Sequence, residues 1–301
     1  MSTTSSSPSP RARERALVLG GGGSAGNAWL IGVIAGLVDG GLDVTGADLV
    51  VGTSAGATTA AQIGGTNPSD LFAAVLAAPQ RPPRPAGGPI RWVPGINHLE
   101  RTNAIIAEST DLADMRRRIA ADALELAEAA GPEEEARWRE IVAARLPSRD
   151  WPALPMLLTV VDADTGEPVE LDRASGVDLV DAVAASCAGG PAYAIGERRY
   201  IDGGYRRSSE NADLAAGYER VLVLSPLGGR VRHPAAWRTD LATQVDELRT
   251  GGSAVETILP DADSRAAFGD NMMSLAARGP AAQAGHDQGS RLAGQLADFW
   301  S

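Results

Sequence analysis

Apolar residues recur along this chain in two rhythms, short unbroken runs and longer stretches that return every third or fourth position. Residues 16–19, 48–51, 156–161, 220–225 and 254–259 are runs of the first kind and predict buried strands. Residues 168–171 predict an edge strand after the turn at Asp164-Thr165-Gly166, and 199–202 a short strand ending at Gly203-Gly204. Helices are expected over 27–38, 55–63, 68–78, 177–186, 234–248, 264–277 and 281–299. Trp29, Leu30, Ile31, Val33, Ile34, Leu37 and Val38 make the first of these apolar on nearly every face, as in a helix buried inside a protein. Residues 79–94 break regular structure through their prolines. Residues 100–146 are helical in pattern and rich in Ala, Arg and Glu, and Gly131-Pro132 divides them into a hairpin of two helices. This stretch, about 97–148, is expected to be a solvated insertion, placed where it can also wall or cap a site. Strands alternating with helices imply an α/β fold with a mainly parallel central sheet covered on both faces. No repeat or linker divides the chain, so 16–301 reads as one domain behind a tail, 1–15.

Composition narrows the function classes. With 301 residues, 44% hydrophobic and 22% charged, the chain is an ordinary soluble globular sequence with room for a large core. A net charge of −11 argues against a nucleic-acid partner, which would require a basic footprint. It also disfavours electrostatic docking on anionic lipid, leaving an apolar patch or dispersed molecules as the route to any lipid. The single cysteine, Cys187, allows neither an intramolecular disulfide nor a cysteine-based metal site. His98, His233 and His286 stand in no ligand spacing, so neither a metal nor a cofactor is expected. The tail is Ser/Thr/Pro-rich without an apolar stretch, and reads as disordered rather than as a signal peptide. No window is long enough to span a membrane, and a cytoplasmic protein is expected.

Three features bear on chemistry. Gly52-Thr53-Ser54-Ala55-Gly56 joins an expected strand to an expected helix, a sharp turn that lifts a serine hydroxyl to a helix N-terminus. The bland alternative is a solvent-facing serine at a strand–helix junction. Gly20 to Gly26 is a glycine loop that follows one strand and opens a helix. Gly21-x-Gly23-x-x-Gly26 fits a dinucleotide fingerprint, but the second strand ends in Gly52-Thr53-Ser54, with Asp48 at its wrong end and Asp43 in the loop before it. The same run of N–H groups suits an oxyanion hole. Asp202-Gly203-Gly204 closes a later strand, so nucleophile, anion loop and carboxylate are expected on one sheet edge. A base of the usual kind is a histidine; His233 and His286 follow Asp202 in chain order but fall in helical contexts, and His98 precedes it near the insertion.

Gly21-Gly22-Gly23-x-x-Gly26, Gly52-Thr53-Ser54-Ala55-Gly56 and Asp202-Gly203-Gly204, in that order and spacing, resemble the patatin-like phospholipase family. Asn211-Ala212-Asp213-Leu214-Ala215 looks like the family's continuation, and the resemblance spans about residues 16–224. It implies a three-layer α/β/α fold and hydrolysis of acyl esters, often lipids, with transient contact at a membrane surface. It also implies a Ser54–Asp202 dyad that works without histidine, Ser54 as nucleophile and Asp202 as general base. The backbone of Gly21, Gly22 and Gly23 would then form the oxyanion hole. The family commonly carries Arg or Lys just before the last glycine of the loop, where this chain has Ala25. An ordinary Asp, near pKa 3.9, is a poor base for serine, so Asp202 must be held close to Ser54 and partly desolvated.

Overall fold

The long apolar runs pair into one eight-stranded sheet in a computed structural model that describes residues 13–78 and 98–301. The expected break over 79–94 and most of the expected tail lie outside the described residues. The strands are β1 (Arg15–Leu19), β2 (Leu49–Gly52), β3 (Met156–Asp162), β4 (Pro168–Leu171), β5 (Tyr193–Ile195), β6 (Arg198–Asp202), β7 (Arg220–Leu224) and β8 (Ala254–Ile258). The helices are α1 (Gly23–Asp39), α2 (Ala55–Gly65), α3 (Pro68–Ala77), α4 (His98–Glu108) and α5 (Leu112–Ala130). They continue with α6 (Pro132–Ala143), α7 (Leu179–Ser186), α8 (Leu241–Thr250), α9 (Ala262–Phe268) and α10 (Arg278–Trp300).

β3, β2, β1, β7 and β8 lie side by side and parallel. Alternate residues of these strands face opposite layers, as the pleat requires. Leu17, Leu19, Val50, Leu222 and Leu224 pack with α1, α2, α7 and α10. Ala16, Val18, Val51, Val221 and Val223 pack with α8 on the other face. The result is α/β in three layers.

The antiparallel end of the sheet sets the site. Leu158 pairs with Gly52 of β2 and with Leu171 of β4, while Val160 and Val161 pair with both β4 and β6. A strand has two edges, so β4 takes one and β2 and β6 share the other, end to end. β2 climbs to Gly52 and β6 descends to Asp202, facing each other across the level of Thr159.

Several expectations change. β1 opens at Arg15, inside the expected tail. α1 begins at Gly23, four residues earlier than its apolar pattern, because the glycine loop itself winds into the helix. The insertion holds three helices, since Asp111 accepts the Asp114 N–H and caps α5 afresh. Nor is it merely solvated: Met115, Ile119, Ala120 and Ala123 of α5 bury against Val161 and Ile201 of the sheet. The helix expected over 234–248 starts only at Leu241, where Asp240 caps it, and the one expected over 264–277 stops at Phe268 before Gly269 (φ 62°). The three-residue β5 has no signal of its own in the sequence.

α1 and α10 cross in backbone contact. A Cβ on Gly32 would stand 2.0 Å from Ala282 O, and one on Gly36 2.1 Å from His286 O. Gly285 and Gly289 make the same approach from α10, at 2.5 Å to Trp29 O and 2.3 Å to Val33 O. Alanine would favour the helix by about 1 kcal/mol, but overpacking at this contact costs about 1–3 kcal/mol. Sterics win, and Gly36→Ala is expected to lower the urea unfolding midpoint.

Candidate active site

Ser54 has φ 53° and ψ −113°, one of three non-glycine residues with positive φ among the described residues. Such backbone costs about 1–3 kcal/mol and persists only where its surroundings enforce it. They do so here through two glycines. A Cβ on Gly56 would fall 1.8 Å from Leu19 O, and one on Gly52 2.8 Å from Ala57 Cα, so the turn closes directly on β1. The Ser54 N–H donates to Ser186 Oγ (3.0 Å), and its carbonyl accepts from Thr58 N–H (3.1 Å) and Cys187 Sγ (3.1 Å). Cys187 is held as a thiol, pushed up to about 12 by burial and by the nearby Asp202 charge.

Asp202 arrives from above, at the end of a strand antiparallel to β3, rather than on the parallel edge that the sequence suggests. The Ser54 side chain stands beside its carboxylate, close enough to pull its proton affinity down. The Gly204 N–H donates to Oδ1 at 2.7 Å, and the Asp202 N–H donates to Ala188 O at 2.9 Å. Burial raises Asp202 to about 6, outweighing the Gly204 N–H and the Ser54 side chain, which lower it. A Cβ on Gly203 would lie 2.1 Å from Thr159 O, so the Asp202 turn presses against β3.

Asn211 locks the two strand ends together. It is fully buried in the left-handed region (φ 51°), with Nδ2 3.0 Å from Thr53 Oγ1, 3.3 Å from Thr159 Oγ1 and 2.9 Å from Gly203 O. Thr53 and Thr159 hydroxyls meet at 2.9 Å. Thr53, Thr159 and Ser186 carry no role in the sequence reading, although Thr159 interrupts an otherwise apolar strand, which is the available signal.

The glycine loop flanks the serine: a Cβ on Gly21 would stand 3.5 Å from Ser54 Cβ. The Gly21 N–H, however, donates to Ser209 O at 2.8 Å and is not free to meet an oxyanion. Among the described residues nothing accepts from the Gly22 or Gly23 N–H; Gly22 is the cap residue before α1 and Gly23 opens it. Pro226 pins the loop, since a Cβ on Gly22 would lie 2.6 Å from Pro226 Cβ and one on Gly26 3.0 Å from it. Beneath lies Glu210, fully buried, its carboxylate accepting from the hydroxyls of Ser208 (2.8 Å), Ser209 (2.7 Å) and Ser225 (2.6 Å). Ala25 is buried, with its N–H donated to Met272 O at 2.9 Å.

The remaining candidates stand apart. Asp48 accepts from the N–H groups of Glu14 and Arg15 and Asp43 from Thr45, so neither reaches the glycine loop as a ribose ligand would. His286 pairs with Asp39 at 2.8 Å and stacks on Phe72. Asp39 ends the 17-residue α1, about 25 Å from the glycine loop. His233 meets Thr239 Oγ1 at 2.9 Å, and burial beside Arg232 pushes it down to about 4. His98 lies 3.5 Å from the Tyr205 hydroxyl. Among the described residues, none of the three histidines contacts Ser54 or Asp202.

No family model matches the sequence, and no curated protein matches it. Among solved structures, the chain is similar to VipD from Legionella pneumophila at 13% identity and a TM-score of 0.42, over 95% of this chain and 67% of VipD. It is similar to the type III effector protein ExoU at 16% identity and a TM-score of 0.38, over 97% of this chain and 54% of ExoU. The chain thus spans little more than half the length of ExoU.

Burying Asp202 has a pH signature. Its folded value of about 6 lies above the 3.8 of an exposed Asp, so the folded state holds the proton longer. Its contribution to stability is present below pH 4 and lost as pH rises through 6. Asp202→Asn is therefore expected to be the more stable protein at pH 8, by on the order of 1–3 kcal/mol, with the difference shrinking at pH 5. Urea unfolding at the two pH values measures it.

Proposed function

We propose that the protein is a serine acyl hydrolase of the patatin-like phospholipase type, cleaving carboxylic esters of lipids or of smaller acyl compounds. The observation that carries this reading is Ser54, strained at the head of α2 and standing beside a buried carboxylate raised to about 6. The Ser54 Oγ attacks the ester carbonyl as Asp202 accepts its proton. The tetrahedral oxyanion takes hydrogen bonds from the Gly22 and Gly23 N–H groups, at the positive ends of α1 and α2. Collapse breaks the ester C–O bond, and the leaving alkoxide takes the proton back from Asp202. Water, deprotonated by Asp202, then attacks the acyl-enzyme and returns Ser54 with release of the acid.

An apolar acyl chain has a surface to approach. Pro226 and Met272-Met273 touch the glycine loop, and Leu227, Met273 and Leu275 are exposed beside these contacts. Such a rim suits transient contact with a lipid surface, and the net charge of −11 favours a neutral surface over an anionic one.

A fluorophosphonate probe read by intact mass tests the dyad. Wild type is expected to take one adduct and Ser54→Ala none, with Asp202→Asn labelling slowed about 10²–10⁴-fold. Wild type that stays unlabelled where a control hydrolase reacts removes the basis of the proposal. With a short-chain ester, kcat/KM is expected to rise about tenfold per pH unit below 6 and level off above it, as Asp202 loses its proton. A profile flat between pH 5 and 7 would exclude Asp202 as the base.

A further inference from the structure

Arg278, the first residue of α10, reaches the catalytic end of the sheet from the far end of the sequence. Its Nη1 donates to Ser24 O at 3.1 Å and to Asn27 Oδ1 at 3.0 Å. Ser24 directly follows Gly23 in the glycine loop. Asn27 is buried in the next turn of α1, and accepting from the guanidinium fixes which way its amide points. Its Nδ2 then donates to Thr59 Oγ1 and to Gln62 Oε1, both at 2.9 Å, on α2. Thr59 passes its own hydroxyl proton to Ala55 O at 3.0 Å, the carbonyl of the residue after Ser54. One guanidinium nitrogen is thus bonded to both elements that flank Ser54, directly to the loop and through Asn27 and Thr59 to the first turn of α2.

Arg278 is unusual in a second respect. It is half-buried in a protein whose acids outnumber its bases, yet among the described residues no carboxylate pairs with it, and the charge that acts on it is Arg145, of like sign. Burial and Arg145 both lower its proton affinity, although a guanidinium stays charged through either. An arginine placed only to anchor α10 would gain more from an acidic partner than from a carbonyl and an amide.

We propose that Arg278 is a positioning residue for the reaction, holding the glycine loop against the head of α2 so that the Gly22 and Gly23 N–H groups stand at a fixed distance from Ser54 Oγ. This rests on the hydrolase reading. The loop contributes backbone donors, and backbone donors are useful only where their distance to the developing oxyanion is set beforehand. A displacement on the order of 1 Å costs about 10²-fold in rate.

The test compares Arg278→Met, Arg278→Lys and Thr59→Val with wild type, on a soluble short-chain ester, with active sites titrated by the fluorophosphonate probe. Arg278→Met is expected to lower kcat per titrated site by about 10- to 100-fold with KM changed less than about threefold. Arg278→Lys, which keeps a charged donor for both acceptors, is expected to recover most of the loss. Thr59→Val keeps the shape but cuts the link to Ala55, and is expected to lower kcat about 3- to 10-fold. If Arg278→Met has wild-type kcat per site and only a lower melting temperature, Arg278 merely anchors α10 and the proposal falls. Should Arg278→Met not fold, wild-type kcat in Thr59→Val overturns the proposal alone. Wild type that neither labels nor turns over overturns the hydrolase reading and the role of Arg278 with it, an outcome distinct from an active wild type indifferent to Arg278.

Discussion

Two strands that end against each other on one edge of β3 leave that edge without a strand partner at Thr159, whose other edge pairs with Glu170 of β4. The backbone and hydroxyl groups there need partners, because a buried polar group left unmade costs about 1–3 kcal/mol. The Thr159 hydroxyl meets Thr53 Oγ1 and accepts from Asn211 Nδ2, which also donates to the Gly203 carbonyl. Each member of this network is next to a residue at the site: Thr53 precedes Ser54, Gly203 follows Asp202, and Asn211 follows Glu210, which holds Ser208 and Ser209. Satisfying the break in the sheet and placing the candidate catalytic groups are therefore one arrangement. A change that disturbs the first must move the second.

The unfavourable features cluster at this edge. Ser54 is strained, Asp202 is raised by burial, and Arg278 keeps its charge with no acid paired to it among the described residues. Any one of them is a sizeable fraction of the 5–15 kcal/mol that separates a folded domain from its unfolded chain. They persist because the rest of the molecule is built closely. α1 and α10 meet backbone to backbone through four glycines, and both sheet faces carry continuous aliphatic layers. α10 has a double part here, since its glycines clamp α1 and its first residue reaches the loop from which α1 grows.

What the sequence disclosed divides along physical lines. Buried parallel strands are apolar throughout, so β1, β2, β3 and β7 stood out within a residue or two. Ser54 and its glycines stood out as a sharp strand–helix turn, whereas Asp-Gly-Gly alone reads as an ordinary turn and Asp202 stood out only in company with the glycine loop and the serine. The direction from which Asp202 arrives was not, since a strand's composition does not say whether its neighbour runs parallel. The Gly21 N–H illustrates a second limit: it is engaged by a carbonyl, Ser209 O, and carbonyls are the same at every residue. Arg278 illustrates a third, lying 254 positions from the loop it bonds. The extra helix of the insertion had its signal in Asp111, a capping residue standing where Ala-rich helical periodicity masked the break.

On the proposed mechanism, the absence of histidine is a consequence of burial. An imidazole serves as a base near neutrality because it titrates at about 6.5. Asp202 reaches about 6 by desolvation alone, against the Gly204 N–H and the Ser54 side chain that pull it down. A histidine also needs a third group to orient its ring and select its tautomer. A carboxylate needs neither: its oxygens are equivalent, and the Gly204 N–H fixes one of them at 2.7 Å. The cost is that the environment must stay dry enough to hold the shift. That requirement explains why α5 and α7 crowd the end of β6 rather than leaving it open, and why Cys187, placed against Ser54 and Asp202 in the same desolvated wall, is held as an inert thiol.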